Sequence, residues 1–167
     1  MRTKTLKFLA IAALTTVSSY NANAAENYEP FVGVDVGTRL QGVSGSATEY
    51  GIKGGLTLGQ AHQLSVGYNT RSDDFYNIDI NTIYSQYDYL VPITQNLTWN
   101  IGGKLGYEKS SESQINGVVL GAQTGINYRL SNWSIGSDLG YLHHSGGTES
   151  AEMDAEFMLM GHLKYHF

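Results

Sequence analysis

Twelve charged side chains recur at one parity in a chain whose segments alternate apolar and polar residues. They are Asp35, Arg39, Lys53, Arg71, Asp79, Lys104, Glu108, Arg129, Asp138, Asp154, Glu156 and Lys164, six acids and six bases. Acids and bases set in equal number on one face can pair and hydrogen-bond, the condition under which charges persist away from water. Histidine offers a second chemistry, metal ligation. His162 and His166 share the charged face, but four strand residues separate them by about 13 Å, whereas zinc holds its ligand atoms near 2 Å. They cannot chelate one ion unaided, and His143 and His144 point to opposite faces. No metal and no cofactor are expected; these histidines read as polar residues of the charged face or of loops.

The elements that place these residues are strands, because the apolar period is two. Eight segments show it. Pro30–Leu40 turns Val32, Val34, Val36 and Leu40 to one face, and Glu49–Gly59 turns Tyr50, Ile52, Leu56 and Leu58. Gln63–Arg71 presents Leu64, Val66 and Tyr68. Tyr76–Leu90 presents Ile78 and Ile80, then Tyr87 and Tyr89; the phase slips near Ile83–Tyr84, which predicts a bulge and leaves Asp88 unassigned. Leu97–Glu108, Gly117–Leu130 and Trp133–His143 follow in the same manner. The last, Met153–Phe167, alternates Ala155, Phe157, Leu159, Gly161, Leu163, Tyr165 and Phe167 against a mostly polar face.

The connections also alternate. Gln60–His62, Val91–Asn96 and Ser131–Asn132 are short; Gln41–Thr48, Ser72–Phe75, Lys109–Asn116 and His144–Glu152 are mostly longer and polar. An internal repeat fixes the register. Val32–Thr38, Ile101–Tyr107 and Ile135–Tyr141 align without gaps, each with two glycines flanking an inward Asp35, Lys104 or Asp138.

Arg2, Lys4 and Lys7, the apolar run Phe8–Val17 and Ala22-Asn23-Ala24 have the form of a signal peptide. The expected division is therefore residues 1–24 removed on export and a single domain over residues 25–167. Removing three bases takes the net charge from −5 to −8, which argues against nucleic-acid binding. With no cysteine there is no disulfide framework. Twenty glycines and twelve tyrosines against two prolines suit a closely packed all-β chain.

Six of the seven bases after residue 24 fall on the face away from the aliphatic residues, and Lys109 falls in a loop. A charge facing lipid near the midplane costs roughly 2–4 kcal/mol, so this segregation suits a membrane barrel. A soluble sandwich could show the same alternation; the aromatics separate the two. Trp99, Trp133, Tyr128, Tyr165, Phe167, Tyr87 and Tyr89 gather near the short-turn ends, and Tyr50, Tyr68, Tyr107, Tyr141 and Phe157 near the loop ends. Two aromatic rings bounding an aliphatic band are interfacial girdles. The expected fold is an eight-stranded antiparallel up-and-down transmembrane β-barrel. A barrel of that size is filled by its own side chains, so the lumen is expected to be a salt-bridged plug.

The chain from residue 25 onward resembles the small eight-stranded outer-membrane barrels, among them the OmpA transmembrane domain, OmpX and the opacity proteins. The signal peptide, the alternating strands and Leu163-Lys164-Tyr165-His166-Phe167 carry the resemblance. It implies a monomer in the outer membrane of a Gram-negative cell, contact with its lipids and lipopolysaccharide, and delivery by the barrel-assembly machinery through Leu163, Tyr165 and Phe167. The role expected is structural or surface-interacting and without catalysis. Some such barrels are lipid A deacylases, which use a His-x-Ser segment and a downstream Glu. His143-His144-Ser145 matches that spacing, with Glu152 or Glu156 to orient the base, although Gly146 stands where those enzymes carry Asn. A lipid A-modifying hydrolase and a narrow solute pore are the alternatives. Glu49, Asp73, Asp74, Glu112, Glu149 and Glu152 form an acidic external rim that could hold divalent cations.

Overall fold

A computed structural model describes residues 28–41, 45–73, 78–110, 116–145 and 155–167. The expected signal peptide and most of the four longer connections, with Asp74, Glu112, Glu149, Glu152 and Asp154, lie outside the described residues. Eight strands follow in chain order: β1 Tyr28–Gln41, β2 Gly45–Leu58, β3 His62–Asp73, β4 Ile78–Pro92, β5 Leu97–Ser110, β6 Gly117–Leu130, β7 Trp133–Ser145 and β8 Ala155–His166. Each pairs antiparallel with its neighbour, and β1 pairs with β8 from Phe31↔His166 to Leu40↔Phe157, so the sheet closes into a barrel. The strands are 12–15 residues long, more than the 9–11 that cross a bilayer, so each continues beyond the apolar band.

Closure removes the edge strands and allows a sheet whose two faces are reversed in polarity from a soluble core. Val34, Val36, Ile52, Leu64, Val66, Ile83, Ile101, Leu105, Leu120, Ile126, Leu139 and Leu159 are exposed on the outer face. Aromatics bound this aliphatic band on both sides: Trp99, Tyr128, Trp133 and Phe167 toward the short turns, Tyr50, Tyr107, Tyr141 and Phe157 toward the other end. Trp133, Tyr165 and Phe167 form an edge-to-face chain with ring centroids 5.0 and 5.1 Å apart. At the first short turn Gly59 and Gln60 both take positive φ, 57° and 65°, the hand that matches strand twist in tight hairpins.

The inner face is polar and tightly filled, and glycines on that face explain how. Gly67 stands opposite Tyr84 across the β3–β4 ladder, and a Cβ on Gly67 would lie 2.4 Å from the Tyr84 hydroxyl. Gly125 stands opposite Asp138, where a Cβ would lie 2.2 Å from both the Ser137 carbonyl and the Asp138 carboxylate. Gly37 beside Met160, Gly55 beside Phe31 and Gly121 beside Leu142 repeat the arrangement. Each of these five inward side chains thus lies over the bare backbone of a neighbouring strand, which helps a narrow cylinder accommodate them.

The structure corrects three expectations. Strand β4 has no bulge: it pairs residue for residue with β3 from His62↔Tyr89 to Asp73↔Ile78. Its phase is therefore constant, so Ile80 is buried inside, Asp79 lies on the exposed outer face hydrogen-bonded to Ser72 Oγ at 2.7 Å, and Asp88 is the inward acid, 2 % exposed. The physical reason is the overhang past the apolar band, where water tolerates an outward carboxylate and apolarity no longer reports which way a residue faces. For the same reason Glu49 and His144 are not loop residues but strand residues turned inward, and Lys109 extends β5 on its outer face.

Candidate functional site: the charged lumen

Six strands contribute to one ionic cluster at the end of the barrel opposite the short turns. Arg39 comes from β1, Glu49 from β2, Arg71 from β3, Glu108 from β5, His144 from β7 and Glu156 from β8. Arg39 donates to Glu49 through two nitrogens, to Glu108 Oε1 at 2.7 Å and to Glu156 Oε2 at 3.1 Å. Arg71 reaches the same two distant carboxylates, Glu156 at 2.8 Å and Glu108 at 3.3 Å. His144 sits between them, its Nδ1 3.2 Å from Glu108 and its Nε2 3.0 Å from Glu156. Asn69 donates to Glu49, and Thr82 of β4 donates to Glu108 at 2.9 Å. The two guanidiniums and three carboxylates are at most 2 % exposed.

A second layer lies deeper. Lys53 Nζ is 2.8 Å from Asp35 Oδ1, and the Tyr84 hydroxyl donates to the other oxygen of Asp35 at 3.1 Å. Lys104 Nζ stands 4.3 Å from the Tyr84 ring centroid and 3.8 Å from Met158 Sδ, a cation held by polarisable groups rather than by a carboxylate. Asp88 accepts from Gln86 and Gln123 at 2.7 and 2.8 Å, and Asp138 accepts from Asn100 at 2.9 Å with His162 Nδ1 at 3.2 Å. Val119, Leu142, Met158 and Met160 form a small apolar cluster among the polar residues.

At the short-turn mouth the charge density falls. Arg129 turns inward but is half exposed, forks onto Glu29 and donates from Nε to the Ser131 carbonyl at 2.9 Å. It belongs to the rim and not to the sealed network. Lys164 is buried and donates to Gln63 Oε1 at 2.9 Å.

These distances describe a scaffold that locks opposite walls of the barrel together. They do not bring Glu156 to His143 and Ser145, and Glu152, the other candidate acid, lies outside the described residues. His143 and Ser145 face outward, while Glu156 points inward, buried between Arg39, Arg71 and His144. Neighbouring strand residues face opposite sides, so the His that does meet Glu156 is His144, on the other face of the sheet from Ser145. Among the described residues there is no group of three His, Asp or Glu side chains placed to hold a metal ion.

The closed eight-strand topology, the outward aliphatic band and the charged interior together decide the comparison. The fold is that of the small eight-stranded outer-membrane barrels. Neisserial surface protein A matches with a TM-score of 0.69 at 13 % identity, over 85 % of this chain and 98 % of its own. OprH of P. aeruginosa matches with a TM-score of 0.60 at 22 % identity, over 83 % and 99 %. Ail of Yersinia pestis matches with a TM-score of 0.52 at 12 % identity, over 85 % and 99 %. No protein-family model and no curated protein matches the chain. Small-barrel identities this low carry the architecture and leave the residue chemistry to be read from this chain alone.

Two members of the lumen network were hidden in the sequence. Asp88 lies beside the expected phase slip and His144 just past the end of its strand, so alternation alone did not place them. Glu49 opens strand two with the parity of Lys53 and still reads as a rim acid. Holding each strand at constant phase over its whole length places all three inside.

Proposed function

We propose that this chain is an integral outer-membrane barrel of a Gram-negative cell, exported by a signal peptide over residues 1–24. It acts as a monomer in a structural or surface-interacting role, with a lumen closed by its own charges. One observation carries this reading: Val66, Ile83 and Leu139 are each more than 60 % exposed on the outside, while Arg39, Arg71, Glu108 and Glu156 are at most 2 % exposed inside. Water would penalise that exterior, and lipid favours it. The shared fold supports the compartment, since the matched proteins include outer-membrane and surface proteins by name. Leu163 and Phe167 face outward at the seam where β8 closes on β1, with Tyr165 half-buried between Trp133 and Phe167. That leaves the terminal strand presentable to an assembly machinery before closure, and lipopolysaccharide and phospholipid to coat the finished band.

Cell fractionation with surface labelling tests the reading. A single cysteine placed at Ser145, at the exposed end of β7, should react with an impermeant maleimide on intact cells and should fractionate with the outer membrane. Recovery in the soluble periplasmic fraction would contradict the proposal.

A further inference from the structure

The short-turn mouth of the barrel holds a cavity of about 680 Å³. Its walls carry hydroxyl and amide groups from Thr57, Gln63, Asn127 and Ser134, and its charged groups are Glu29, Arg129 and Lys164. Arg129 is satisfied by the fork of Glu29. Lys164 is not satisfied in this way. Only 4 % exposed, it makes one hydrogen bond, to Gln63 Oε1, and stands 5.4 Å from the Phe31 ring centroid. No ion pair among the described residues includes it. Two of its three N–H groups thus lack an acceptor among the described residues; Arg39, Lys53 and Arg71 are paired directly with carboxylates, and Lys104, the other buried lysine without one, lies against Tyr84 and Met158. A second buried donor-acceptor atom is idle nearby: His166 Nδ1 makes no hydrogen bond at its 3.3 Å approach to Glu29.

A buried ammonium with unused donors, opening into a polar cavity, is what an oxyanion requires. We propose that this vestibule binds a small solute bearing a carboxylate or phosphate group, whose anionic oxygens are taken by Lys164 Nζ. Ser134 is the cross-strand partner of both Arg129 and Lys164, so the three form one inward row from the rim to the buried ammonium. The volume exceeds the bare ion, and the amide and hydroxyl lining suits a polar body attached to it. The ligand enters from the short-turn side, since the opposite end is closed by the Arg39–Glu108–Arg71–Glu156 cluster.

Amide chemical-shift titration of the folded protein in micelles tests this, with acetate and inorganic phosphate as separate probes at matched ionic strength. Saturable shifts centred on Gln63, Ser134 and Lys164 with either probe support the site, and the stronger probe names the group. Lys164→Met should weaken binding by roughly ten- to a hundredfold, the worth of a hydrogen bond to a charged group, with folding scored by heat-modifiable gel mobility. Because that variant could fail to fold, the map on the wild-type protein stands by itself. Absence of saturation with both probes, or shifts confined to the Arg39 and Arg71 end, overturns the proposal. So does undiminished binding in folded Lys164→Met.

Discussion

Arg39 Nη1 and Glu108 Oε1 meet at 2.7 Å although they belong to β1 and β5, strands four apart in a closed ring of eight. One ion pair therefore spans the barrel from wall to wall. Arg71 of β3 adds links to Glu108 two strands away and to Glu156 three strands away, and Glu156 of β8 also receives Arg39 from the adjacent β1. Stability from such a cluster depends on completeness. Removing one partner strands the others in a low-dielectric interior, which costs about 3–5 kcal/mol, whereas replacing a whole pair by apolar groups is often neutral.

Arg39→Met should accordingly lower the unfolding free energy by about 3–5 kcal/mol in urea titrations of the refolded protein. The double variant Arg39→Met, Glu49→Leu should recover part of that loss. Strictly additive costs would show that the two side chains do not act as a pair.

The inward glycines are predicted to be positions of steric demand, not of flexibility. Gly125→Ala puts a Cβ 2.2 Å from the Ser137 carbonyl, so the backbone must shift, at a cost of roughly 1–3 kcal/mol. Gly54 lies on the outer face, where a Cβ would meet its nearest atom at 3.6 Å, and Gly54→Ala should be close to neutral. Equal stabilities, measured side by side, would contradict the packing described.

The outer face makes an opposite demand. Val66 is 65 % exposed, and in a water-soluble protein Arg at such a position changes stability by at most about 0.5 kcal/mol. Facing lipid, Val66→Arg should cost about 2–4 kcal/mol when folding is measured in phospholipid vesicles. A negligible change there would mean that Val66 does not face hydrocarbon.

A plugged lumen predicts an absence of steady current. The wild-type protein in planar bilayers should show no stable single-channel openings, because both charged layers cross the cylinder. Long-lived unitary conductance would contradict the seal.

Much of this was legible in the alternation of residues. Arg39, Lys53, Arg71, Lys104 and Lys164 are buried inside as the phase of their strands required, because the apolar residues of their own strands fix which face turns out. Arg129 shares their parity but sits low enough to remain wet. Glu49 reads as a rim acid and His144 as a loop residue because their strands outrun the band and lose contrast between faces. Asp79 and Ile80 misled for the same reason: above the girdle an isoleucine can turn in and an aspartate out. Which acids meet which bases was not legible at all. Glu108 and Arg39 are 69 residues apart, and only closure of the sheet brings them together.

The central claim is the reversed polarity of the barrel, and its most direct test is the solvent that folding requires. The protein should regain β-sheet circular dichroism and heat-modifiable mobility when diluted from denaturant into micelles or vesicles, and should aggregate when diluted into buffer alone. A monodisperse, folded species in buffer without detergent or lipid would contradict the account.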